Sequence, residues 1–154
     1  MAKLRVGVVQ TNPQFGRVRA NLARALRLMA GSPADLYVLP ELFATGYQFC
    51  SKDEVARLAE PIPAGQTTRR LTAFARRAGC AIVAGLPERA GGRFYNSAVI
   101  IGPRGLLGRY RKLHLFAEET KWFAPGDRPP AVWEIGPLPA RGAGVRVGVM
   151  ICFA

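Results

Sequence analysis

Four side chains in this sequence have the types and neighbourhoods of a hydrolytic centre: Glu41, Lys112, Glu119 and Cys152. Lys112 falls in the run Tyr110-Arg-Lys-Leu-His-Leu-Phe116, where an unpaired ammonium would be costly to bury or would lose its proton. It needs a carboxylate, and two are at hand: Glu119, seven residues on, and Glu41, which follows the apolar run 36–40. Cys152 closes a third apolar run, 145–151. A thiol attacks only as its thiolate, which a neighbouring cation or base supplies near neutral pH. Lys112 would stabilise the thiolate and then an oxyanion, while Glu41 would take the thiol proton and pass it to a leaving amine. Glu119 would keep the lysine charged and in place, and the whole set would cleave an amide through a covalent thioester.

Each residue also has a plainer reading. Cys152 would be an inert core cysteine, as free cysteines commonly are. Glu41 and Lys112 would be solvated strand ends, and Glu119 would be interchangeable with its neighbour Glu118. His114 is the sole histidine, so a Cys-His hydrolase would have to use it. Two residues after Lys112 on one strand, it would share that residue's face, but a structural role is expected. Cys50 and Cys80 are read as packing residues. Tyr110, Phe116, Trp122 and Phe123 are read as core before pocket lining.

The elements that must position these groups follow from periodicity. Residues 4–10 form a Val-rich buried strand ended by Thr11-Asn-Pro13. Val18, Leu22, Ala25, Leu26 and Met29 recur at helical spacing with Arg17, Arg24 and Arg27 opposite, and residues 36–39 give a second buried strand. Strand, helix, strand implies a parallel pair with a right-handed crossover. Residues 42–50 read as a loop that packs. Ser51-Lys-Asp-Glu54 is a capping box for a short helix to residue 59. A further helix over 67–78 ends at Gly79 and leads to a strand at 81–86. Residues 94–101 and 106–111 flank Gly102-Pro-Arg-Gly105 as an antiparallel hairpin, so the sheet is mixed. The Pro/Gly-rich stretch 125–144 holds one short strand at 132–135, and the last strand runs to 151.

These residues carry a resemblance to the nitrilase superfamily, the carbon-nitrogen hydrolases. Leu39-Pro-Glu-Leu-Phe-Ala-Thr-Gly-Tyr47 resembles that family's glutamate block, Tyr110-Arg-Lys-Leu-His-Leu-Phe116 its lysine block and Val147-Gly-Val-Met-Ile-Cys-Phe153 its cysteine block. Asn96-Ser-Ala-Val-Ile-Ile-Gly-Pro-Arg-Gly105 resembles the hairpin before the lysine. The resemblance implies an α/β fold, part of a four-layer αββα sandwich with a mixed sheet. It implies Glu41 as general base, Lys112 as oxyanion-stabilising cation, Cys152 as nucleophile and Glu119 as supporting acid. It also implies a small-molecule amide as substrate, release of ammonia and a carboxylate, no cofactor or metal, and a homo-oligomer when complete. The compact His-Leu-Phe stretch leans toward amidases, with N-carbamoyl hydrolases and nitrilases as alternatives. Family members carry an acidic residue two positions after the cysteine, where this sequence has Ala154. Residues 1–154 are accordingly expected to be one carbon-nitrogen hydrolase domain, truncated and incomplete at its C-terminus. The rival expectation is an inactive fragment or partner-binding module, which in isolation would aggregate, dimerise or stay partly molten.

Composition removes other classes. The net charge of +12 would suit a polyanion, but the arginines are strung through the chain in ones and twos, so nucleic acid is not an expected partner. No apolar stretch approaches the roughly 18 residues a membrane span needs, and positions 1–10 do not read as a signal peptide. Three cysteines without paired spacing give neither a disulfide framework nor a zinc motif, and the cytoplasm is the expected compartment.

Overall fold

In the computed structural model, which describes residues 3–136, 138 and 144–152, the first expected strand is present but short, and it is not the buried strand expected, because Val6 and Val8 are exposed at the sheet edge. β1 (Val6–Val8) is followed by a turn through Gly16 at φ 72° and by α1 (Val18–Gly31). Leu22, Ala25 and Met29 are the buried stripe of α1, while Arg17, Arg24 and Arg27 stay exposed. β2 (Leu36–Val38) pairs in parallel with β1, as the strand-helix-strand pattern requires. The loop after it packs as expected, with residues 42–46 all buried.

Ser51 caps α2 (Lys52–Leu58), its hydroxyl accepting from the Glu54 N–H at 3.2 Å. The reciprocal bond is displaced by one residue, because the Glu54 carboxylate takes the N–H of Cys50 at 2.7 Å. α3 (Gln66–Ala78) ends at Gly79, whose φ of 65° is the left-handed stop that glycine adopts without strain.

β3 (Ala81–Ala90), β4 (Arg93–Gly102) and β5 (Gly105–Arg111) form the antiparallel half of the sheet. β3 runs past the expected end at 86 because Gly91 and Gly92, at φ 55° and 74°, make a two-residue turn into β4. Pro87 does not break it. The Pro87 carbonyl accepts from Glu60 N, on the side away from β4, so its missing N–H falls where no ladder bond is needed.

The five-stranded sheet has the order β1-β2-β3-β4-β5, with β3 parallel to β2 and antiparallel to β4. A short α4 (Glu119–Trp122) follows β5, and β6 (Val132–Ile135) pairs only with β7 (Val145–Gly148). The last strand was expected to reach 151, within a main sheet. Its ladder ends at Gly148, opposite Val132 where β6 begins, and Val149 and Ile151 carry on into the apolar cluster that Val145 and Val147 already join.

Alternation divides the sheet into two faces. Ile82, Ala84, Leu86, Val99 and Ile101 meet the buried stripes of α1 and α3. Ala81, Val83, Ala98, Ile100 and Tyr110 meet Ile135, Leu138, Val149 and Ile151. Each such side chain contributes about 1.5–3 kcal/mol when fully buried. The result is an α/β fold with a mixed sheet, layered helix, sheet, second β layer, as a part of the αββα sandwich.

Candidate active site

Glu41 lies in the turn after β2, and that turn is pressed against β3. The Gly85 N–H donates to the Pro40 carbonyl at 3.2 Å, and Phe43 N–H donates to the Gly85 carbonyl at 3.2 Å. A Cβ at Gly85 would stand 2.6 Å from the Glu41 Cα and 2.8 Å from the Leu42 nitrogen, so the approach requires glycine. Leu42 takes φ 50°, an uncommon value outside glycine, and is held there by a fully buried side chain.

Lys112 follows β5 directly. Its N–H extends the ladder to the Asn96 carbonyl at 2.8 Å, which sets Lys112 and Asn96 side by side on the face opposite Ser97 and Arg111. Lys112 is 1% exposed. Its Nζ lies 2.9 Å from Glu41 Oε1 and 2.7 Å from Glu119 Oε2. Burial alone would lower the ammonium's pKa, but the hydrogen bonds and charges of Glu119 and Glu41 outweigh it and raise it above its ordinary 10.5.

The two carboxylates are held differently. Glu119 Oε2 also accepts the Phe116 N–H at 2.7 Å, and its Oε1 accepts from Asn96 Nδ2 at 2.6 Å, so both oxygens are engaged and the residue is 3% exposed. On Glu41, Oε1 accepts from both Lys112 and Asn96 Nδ2, the latter at 2.6 Å, while Oε2 accepts from none of the described residues. A fifth of that side chain reaches solvent. Glu41 thus keeps an oxygen for a proton and Glu119 does not. The choice between Glu118 and Glu119 is resolved by the turn at Ala117 (φ 46°), which sends Glu119 inward and leaves Glu118 exposed beside Lys121.

Cys152 is exposed, lies four residues beyond the end of β7 and takes φ 47°. It makes no hydrogen bond to the three charged groups. Ile151, just before it, packs in the same apolar cluster as Leu113, just after Lys112, which places both segments on one face of the sheet. Phe153 and Ala154, the end of the third block and the departure from the family pattern, lie outside the described residues.

Several expectations are corrected. β5 ends at Arg111, so Lys112 and His114 do not share a strand, and His114 is exposed where Lys112 is buried. Cys50 is exposed and not a packing residue, whereas Cys80 is buried and its thiol is pushed up to about 11 by desolvation. Phe116 is 56% exposed, while Tyr110 and Phe123 are core.

Two residues in the site were missed. Asn96 is fully buried, and its signal was an amide, with Ser97 beside it, at the head of the apolar run 98–101. Two flanking carboxylates require that the nitrogen of this amide faces them. Tyr47 carried no signal of its own. Its hydroxyl is pushed up to about 12, first by desolvation and then by the charge of Glu119, with Lys112 opposing and Glu41 adding.

A second ion cluster backs the first across the sheet. Glu88 is fully buried and accepts from Ser97 Oγ at 2.7 Å, from Arg111 Nε at 2.9 Å and from a terminal Arg111 nitrogen at 2.7 Å. Arg111 also stacks over Tyr95 at 3.8 Å and reaches Asp127 at 2.9 Å. Among the described residues no group of three or more His, Cys, Asp and Glu is gathered as a metal site, and no helix is long and apolar enough to cross a membrane.

The family model described as carbon-nitrogen hydrolase matches residues 5–154. Relatives include a protein named nitrilase from Pyrococcus abyssi, 45% identical over 97% of this chain and 56% of its own length. An (R)-stereoselective amidase from a Pseudomonas species is 37% identical over 97% of this chain and 52% of its own. The chain therefore spans about half the length of these curated relatives. Among solved structures, an N-terminal amidase superposes with a TM-score of 0.86 at 22% identity, covering 97% of this chain and 40% of its own, a likeness of fold.

Proposed function

Because the chain belongs to the carbon-nitrogen hydrolase family, we propose that it carries the base, cation and nucleophile of an amidase that acts on the amide of a small acid. The observation that supports this most is the buried Lys112 ammonium clamped between two unequal carboxylates, one saturated and one with an oxygen to spare. In this reading Cys152 gives its thiol proton to Glu41 Oε2 and its sulfur attacks the amide carbon. The Lys112 ammonium stabilises the tetrahedral oxyanion. Glu41 then delivers the proton to the leaving ammonia, and a thioester remains. Water attacks the thioester carbon as Glu41 takes its proton, Glu41 returns that proton to the departing Cys152 sulfur, and the carboxylic acid is released and ionises. Glu119, with no oxygen free, holds Lys112 charged.

Support for amidase chemistry over nitrile hydrolysis and decarbamoylation comes from the Pseudomonas amidase and from an omega-amidase of Danio rerio, 39% identical over 75% of this chain and 42% of its own length. The relative named nitrilase keeps the nitrile reading as the second one. Three free cysteines suit a cytoplasmic protein, and assembly into a homo-oligomer belongs to the same proposal. Ammonia release from a panel of small amides, nitriles and N-carbamoyl acids tests the reading. Turnover should favour amides, vanish in Cys152→Ala and not be rescued in Lys112→Arg, since a planar fork does not replace a compact ammonium. Full turnover by Cys152→Ala would overturn it.

A further inference from the structure

Among the described residues, Asn96 is the fully buried neutral side chain that donates to both carboxylates, and its geometry is divided evenly. The amide nitrogen has two protons, and it donates one to Glu41 Oε1 and one to Glu119 Oε1, each at 2.6 Å. Its own Oδ1 is buried without a hydrogen-bond partner. An apolar residue of similar size would avoid that desolvation cost, so the position is explained by the NH₂ group and not by space filling. Glu119 has two further anchors, Lys112 Nζ and Phe116 N–H. Among the described residues Glu41 has one other, the same ammonium, and it lands on the same oxygen that Asn96 grips. Two donors converging on Oε1 restrict the rotation of the Glu41 carboxylate, and Oε2 takes part in no hydrogen bond with the described residues. Either donor alone would be a pivot about which a partly exposed carboxylate turns toward water.

We propose that Asn96 is the positioning residue that orients Glu41, holding its Oε1 against Lys112 so that Oε2 stays aimed outward as the proton acceptor. This rests on the reading of Glu41 as the base, but its geometric part can be tested without any turnover. Without the amide, Glu41 swings away and Lys112 loses part of the negative charge that raises its pKa. The effect should therefore be read at Lys112, whose ammonium is hydrogen-bonded to Glu41 and Glu119 and not to the Asn96 amide.

The experiment follows the Lys112 side chain by NMR in the full chain labelled with ¹³C-lysine, titrated to alkaline pH. Wild type, Asn96→Leu, Glu41→Gln and the double variant are compared, with Asn96→Ala in place of Asn96→Leu if the latter does not fold. Each single substitution should move the Lys112 midpoint downward, and the double should move it no further than Glu41→Gln alone, because the two act on one link. A wild-type midpoint in the Asn96 variant, or full additivity in the double, would overturn the proposal. In the active enzyme, Asn96→Leu should lower kcat by about 100-fold, the low end of a positioned base's contribution, with KM unchanged. A wild type that hydrolyses nothing would count against the amidase reading while leaving the Lys112 titration to decide this one.

Discussion

Replacing Lys112 by methionine removes one ammonium and little else, because methionine has similar length and adapts to the same channel. What remains is two carboxylates facing each other through Asn96, one of them 3% exposed. Breaking a buried ion pair by deleting one partner typically costs about 3–5 kcal/mol, since the other charge is left uncompensated. A domain has about 5–15 kcal/mol in total, so the variant should stand near the edge of folding. Urea unfolding followed by fluorescence gives the measure. The midpoint should fall by about 2 M with the slope unchanged, taking about 2 kcal/mol per molar as typical. Adding Glu119→Gln to Lys112→Met should restore part of the loss, a coupling of about 0.5–3 kcal/mol expected for contacting residues. The pH dependence has a definite sign. Lys112 has its pKa raised on folding, so its contribution is complete below its ordinary 10.5 and is lost as pH climbs through the higher folded value. Wild type should thus lose stability in that alkaline window, and Lys112→Met should lack that component. A midpoint change worth less than about 1 kcal/mol, the scale of an exposed pair, would refute the claim that the ammonium is buried between the two acids.

Gly85→Ala would drive a Cβ to 2.6 Å from the Glu41 Cα, and should cost about 1–3 kcal/mol as overpacking does, while lowering turnover more than an equally destabilising core change elsewhere. Thermal melts beside the ammonia assay separate the two effects. A disulfide-forming thiol reagent should label Cys50 and Cys152 in the native chain, both being exposed, and should reach Cys80 only on unfolding, because that thiol is buried and its pKa is pushed up to about 11. Rapid native labelling of Cys80, counted by mass spectrometry, would contradict its burial.

The elements that sequence made legible were those with a local cause. The helix start at Ser51, the glycine stop at Gly79 and the turn at 102–105 each act within a few residues, and each lies where its local motif placed it, with the capping box's reciprocal bond moved to Cys50. What was illegible depended on distant partners. β3 continues through Pro87 because Glu60, far earlier in the chain, takes the outer edge there, and no local pattern carries that information. Cys50 reads like any other cysteine, and its exposure is set by how the aromatic loop packs. In the site, Lys112 declared its need for carboxylates by being charged in an apolar run. Asn96 and Tyr47, both neutral, entered through contacts across 55 and 23 residues in one case and through proximity to Glu119 in the other.

Arg111 and Lys112 are consecutive cations that go to opposite faces of the sheet, Arg111 to the buried Glu88 and Lys112 between Glu41 and Glu119. Their acids are not interchangeable, for Glu88 is met by a flat guanidinium through two of its nitrogens while Glu41 and Glu119 share a single compact ammonium. If β5 slipped by one residue against β4, every side chain would change faces. Arg111 would arrive where the ammonium belongs, and Lys112 would meet Glu88 with a point charge in place of a fork. Total charge would balance in such a misfolded hairpin, yet neither acid would be correctly met. The pair therefore lets the hairpin discriminate its true register by shape where charge alone is blind, and assembly of the site becomes part of the same selection that completes the sheet.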